Sequence, residues 1–187
     1  MNNIIILIIL LIIVLIINNR EYFTNFNSID FMKPKNSCIH LEKYNKVFKY
    51  NKLDLKLRHI NSKIYRDEIY KFYCNNMINF SNKDKLLLKW CFSNLEKYTP
   101  KHLQLIYKDI KIGKYNNFIE HGYPHTNSNV IFLSEEFINN ILNYYNNNNI
   151  EDSIKNIGII LVHECIHLWQ FRNPKIFDDL YLNYWNF

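Results

Sequence analysis

Glycine and proline are scarce, with three and four in 187 residues. That scarcity excludes collagen-like and Gly-rich linker architectures. A glycine-cradled nucleotide site is excluded as well, because neither G-x-x-x-x-G-K nor G-x-G-x-x-G occurs. The four cysteines, Cys38, Cys74, Cys91 and Cys165, form no C-x-x-C pair. This argues against a structural zinc knuckle or a thioredoxin-like site. An even count permits two disulfides, but a domain of this size does not require them, and the redox compartment is left open.

Apolar residues are plentiful. Hydrophobic side chains make up 48% and aromatics 16%, which supports a real core in one ordinary domain. The 30 asparagines, with abundant Ile, Lys and Tyr, match AT-rich codon usage and are assigned no function. Lys and Arg outnumber Asp and Glu by 23 to 17, for a net charge of +6.

Ile4 to Ile17 is an unbroken run of Ile, Leu and Val. As a helix it spans about 21 Å, against about 30 Å of bilayer hydrocarbon. A cleaved secretory signal would want a positive start and small residues at its exit. Here the start is Met1-Asn2-Asn3 and the exit Asn18-Asn19-Arg20. The expectation is an uncleaved anchor over residues 1–20, its orientation open, followed by one domain over 21–187. Basic residues crowd the stretch from Lys33 to Lys71. Acids are interspersed and no nucleic-acid motif accompanies them, so they read as a solvated helical face. An anionic membrane surface beside the anchor is the alternative, and nucleic acid is disfavoured.

Further on, irregular apolar spacing from Ser37 to Phe80 suggests two helices. A helix is expected over Asn82–Tyr98, capped by Asn82 and closed by Thr99-Pro100. Leu103–Ile112 reads as a strand ending at Gly113, residues 114–128 as a loop, and Asn129–Leu133 as a second strand. Ser134 caps the next helix, whose first turn holds Glu135 and Glu136. Ser153 caps another that runs through Phe171 and stops at Pro174. Its residues are apolar on almost every side, which predicts burial. The fold class is therefore α+β, a small sheet packed on helices.

That last helix contains His163-Glu164-Cys165-Ile166-His167, an H-E-x-x-H sequence. Histidines four apart on a helix lie on one face, where both imidazoles reach one ion. The glutamate between them is turned aside, near a metal-bound water without being a ligand. Two histidines and a carboxylate in a buried helix call for pairing or a metal, and the bland alternative is a satisfied core histidine pair.

Over roughly residues 100–187 the chain resembles zincin-type metallopeptidases, the gluzincin-like branch most of all. The resemblance implies a zincin-like fold, Zn2+ on His163 and His167, and Glu164 as general base. It further implies a peptide or protein substrate and a cleft-lining strand, placed here at Asn129–Leu133. The metzincin extension is absent, since Gln170 and Asn173 stand where its glycine and third histidine would be. A gluzincin takes its third ligand from a later helix, and the candidates here are Asp178 and Asp179. His121, His125 or a residue outside the chain are the alternatives, the last implying a C-terminally shortened enzyme. The expected function is a membrane-anchored zinc-dependent peptidase, against an inactive, membrane-tethered remnant that binds a partner.

Overall fold

A computed structural model describes residues 29–44, 66–116, 120–147 and 150–184. The Ile4–Ile17 run and most of the basic stretch lie outside the described residues. Among the described residues no helix is long and apolar enough to cross a membrane.

The architecture is α+β. Strand β1 (Asp30–Phe31) and helices α1 (Pro34–Tyr44), α2 (Arg66–Asn75) and α3 (Asn82–Tyr98) come first. Next are β2 (Lys111–Tyr115), β3 (His125–Asn127), β4 (Val130–Ser134) and α4 (Glu135–Asn146). Then come α5 (Ile159–Arg172) and α6 (Pro174–Asp179), followed by a π-helical turn, Leu180–Tyr184. The four strands lie in the order β1-β2-β4-β3. β1, β2 and β4 are parallel neighbours, and β3 runs antiparallel to β4 at the edge.

Every residue of β4 is buried, so its continuous apolar run is that of a strand covered on both faces. Alternation along it sorts two cores. Ile131 and Leu133, with Ile112 of β2, face residues from α3, α4 and α5, including Phe92, Ile141, Leu161 and Cys165. Val130 and Phe132, with Tyr115 of β2, face Leu41 of α1 and Ile69 and Tyr73 of α2. Gly113 lets β2 pass under Phe132, for a β-carbon there would lie 2.6 Å from its ring. The ammonium of Lys114, buried on the opposite face, bridges Asp84 at 3.0 Å and Glu135 at 3.2 Å. It thereby ties the sheet to the first turns of α3 and α4.

Several local expectations need correction. The cap of α3 is Ser81, in a reciprocal capping box with Asp84, and Asn82 is already helical. Lys101–Tyr107 is a 3-10 helix, and the strand starts only at Lys111, so Gly113 sits inside β2. Short apolar runs fit either period, and packing decided this one. The expected loop 114–128 holds the end of β2 and all of β3. Ser134 does cap α4, accepting from the Phe137 amide. Ser153 does not start the helix: the turn Ile150–Ser153 continues through a π-helical turn, Ile154–Gly158, into α5. Pro174 ends α5 and opens α6, where its missing N–H is no loss.

Cys38 of α1 and Cys74 of α2 are joined in a disulfide, with α-carbons 5.3 Å apart. Cys91 and Cys165 are buried and unbridged. Crosslinking across 36 residues removes about 3–4 kcal/mol of loop entropy from the unfolded chain. A Cys38→Ser/Cys74→Ser variant should lose stability of that order in urea unfolding, and equal stability would refute the clip.

Two residues along α1, buried His40 donates from Nε2 to the carbonyl of Asn127 in β3 at 2.9 Å. Burial holds its pKa below the ordinary value, Lys111 and Lys43 act in the same direction, and the Asn127 bond opposes them. The fold therefore prefers neutral His40, and its contribution is complete above the unfolded pKa of about 6.5. It is lost as pH falls below that value, because the unfolded chain then binds the extra proton. Unfolding measured from pH 7 to pH 5 should show a shallower loss of stability in His40→Gln than in wild type.

Candidate metal centre

Helix α5 is not buried all round. Leu161, Glu164, Cys165, Ile166 and Leu168 are buried, whereas Ile159, His163, His167 and Phe171 are exposed. Uniformly apolar composition hid which face was open. The i, i+4 spacing sets His163 Nε2 2.9 Å from His167 Nε2, with ring centroids 4.5 Å apart. Two imidazoles on one tetrahedral zinc, each at about 2.0–2.1 Å, hold their nitrogens about 3.3 Å apart. The pair needs to open by only a few tenths of an ångström.

Neighbouring bonds define the tautomers. His167 Nδ1 donates to Gln170 Oε1 at 2.8 Å, leaving His167 Nε2 with its lone pair. Gln170 in turn donates from Nε2 to the hydroxyl of Tyr181 at 3.3 Å. In the metal-free pair the shared proton therefore sits on His163 Nε2. Desolvation of the His163 ring, then its neighbour His167, lower its pKa and favour the neutral form that ligates metal.

Glu164, from the same helical turn, is buried. Its Oε2 accepts from Thr126 Oγ1 of β3 at 2.6 Å, and its backbone carbonyl lies 3.1 Å from the same hydroxyl. Glu164 and His167 line a cavity of about 500 Å³ together with Thr126, Gln170, Asp178 and Tyr181. This combination has two imidazole nitrogens converging on one point, a carboxylate beside them and room for a substrate group. Cys165 is no nucleophile, since burial, then Glu164, push its thiol pKa far up.

The other expected site residues divide. Asp178 and His125 line the same cavity as Glu164 and His167. The His125 ring is stacked on Phe132, with centroids 5.5 Å apart. Asp179 instead accepts from Asn183, and His121 lines a second cavity of about 580 Å³ with Asn140 and Asn143. Among the described residues no third His, Cys, Asp or Glu completes a metal-binding group. Nor does Asn129–Leu133 line the cleft: β4 is an inner strand, and the cleft strand is β3, read from sequence as loop. Thr126, Gln170 and Tyr181 are site residues that the sequence motif does not indicate. Gln170 was findable, being i+3 from His167 on a helix. Thr126 carries no local signal.

No protein-family model, curated protein or solved structure matches the chain.

A hydrogen bond that orients a metal-ligating imidazole is typically worth 10–100-fold in affinity. Gln170→Ala should weaken zinc binding by that factor in competition with a chromogenic chelator. Unchanged affinity would mean that Gln170 does not orient His167.

Proposed function

We propose that the chain is a membrane-anchored, zinc-dependent metallopeptidase of zincin-like fold. The observation that carries this reading is the convergence of His163 Nε2 and His167 Nε2 at 2.9 Å beside a cavity that Glu164 enters. The antiparallel edge strand flanking the helix supports the zincin-like arrangement.

The donor set suits zinc: two imidazole nitrogens on an exposed helix face, one held in the ligating tautomer by Gln170. His163 and His167 would hold the ion, with the third position open to Asp178 or to a residue outside the described chain. When bound, zinc supplies Lewis-acid chemistry, acidifying water and polarising a scissile carbonyl. Glu164 then accepts a proton from the attacking water and delivers it to the leaving amine nitrogen. Thr126 holds one carboxylate oxygen, and the cavity between β3 and α6 receives the peptide.

The Ile4–Ile17 run supports a single membrane anchor. The Cys38–Cys74 disulfide supports a domain on the oxidising side of that membrane. A second reading, an inactive tethered remnant that binds a partner, is favoured by one observation: no third donor joins the histidine pair among the described residues.

Zinc content and peptide turnover separate the two. His163→Ala and His167→Ala should each abolish zinc retention, because one imidazole leaves an open, weak site. Glu164→Gln should keep zinc and fold while peptide hydrolysis falls by about 10²–10⁴. Wild type that holds no zinc, or holds it without turnover, would sink the peptidase reading, and zinc loss in Glu164→Gln would make that residue a ligand.

A further inference from the structure

Glu164 is carried by α5, yet the group that holds its carboxylate comes from 38 residues earlier in the chain, on strand β3. Thr126 is the middle residue of β3, and its neighbours turn to the other face of the sheet. There His125 stacks on Phe132, and the Asn127 carbonyl is held by His40. Pleating therefore directs Thr126 alone of the three toward α5. A threonine hydroxyl has one proton to give. The contact to Oε2 is 2.6 Å and that to the Glu164 carbonyl 3.1 Å, so the proton goes to the carboxylate in a charge-assisted bond.

We infer that Thr126 is the positioning residue of Glu164: its hydroxyl occupies Oε2 and fixes the side chain so that Oε1 is the oxygen that takes the proton. This rests on the peptidase reading for its chemistry, though the contact itself does not. Thr126 touches neither metal ligand through its side-chain bonds, so its loss leaves zinc binding alone. Its effect falls on proton transfer. β3 is held from behind by the bond from His40, on a helix clipped by the Cys38–Cys74 disulfide. The hydroxyl is thus presented from a strand paired with β4 and held from behind by His40.

The test uses the full chain in detergent. Thr126→Val keeps the shape and removes the hydroxyl, and Thr126→Ser keeps the hydroxyl and removes a methyl group. With zinc in excess, kcat on an unstructured peptide should fall about 10–100-fold in Thr126→Val while KM and zinc stoichiometry stay unchanged. Thr126→Ser should restore most of the rate. Equal kcat in Thr126→Val and wild type, or a loss that Thr126→Ser does not rescue, would overturn the inference. A second measurement needs neither zinc nor activity: a double-mutant cycle of Thr126→Val and Glu164→Ala on the unfolding equilibrium of the metal-free protein. Coupling of about tenfold is expected for a hydrogen bond to a charged group, and additivity would overturn the inference. Wild type that cleaves nothing removes the peptidase reading, and the cycle still decides whether Thr126 holds the carboxylate. Should Thr126→Val fail to fold, the Thr126→Ser and Thr126→Ala pair carries the same comparison.

Discussion

A carboxylate set into an apolar helix has to meet a donor, because leaving water without a partner costs an ionised group several kcal/mol. Glu164, at 5% exposure, is in that position, and Thr126 satisfies it. Much of the architecture follows from delivering that one hydroxyl. β3 must lie at the sheet edge, antiparallel to β4, and in the register that pairs Thr126 with Ile131. A slip of one residue would turn Thr126 away and bring His125 or Asn127 to the helix. The edge is secured from behind by His40, on a helix that the disulfide joins to its neighbour.

Charges are distributed between the faces on the same principle. Lys114 is buried, but two carboxylates from the first turns of α3 and α4 meet it. Those carboxylates also suit the positive ends of their helices. The histidines, by contrast, lie on the exposed face of α5, where they meet each other and Gln170. The carboxylate of the H-E-x-x-H turn is thus held by a distant strand, while the two histidines stay on the open face with their Nε2 atoms converging. Rigid support for Glu164 and an open face for the pair come from a single turn of helix, since neighbouring residues are rotated by about 100°.

The identity of that turn was legible in the chain. Spacing alone put His163 and His167 on one face and set Glu164 apart from them, and the α+β class followed from strand-like runs between helical ones. Ser134 as a cap and Pro174 as a stop were legible because such signals act within one turn. Other local readings failed where two structures fit the same residues. Lys101–Tyr107 is apolar enough for a strand and is a 3-10 helix, and β3 is too short and polar to stand out from a loop.

What lay beyond the sequence is what depends on distant residues. Composition made α5 look buried on every side; packing against the sheet and the 3-10 helix Lys101–Tyr107 covered one side of it and left the histidine face open. The pairing of Cys38 with Cys74 could not follow from four cysteines, since any pairing satisfies the count. Nor could the partner of Glu164, a threonine 38 residues away, be read from a motif five residues long. Helical geometry is local and repeats every 3.6 residues, so spacing along the chain determines which side chains share a face. Which face is covered, and by which donor, is decided only when strands and helices close on one another.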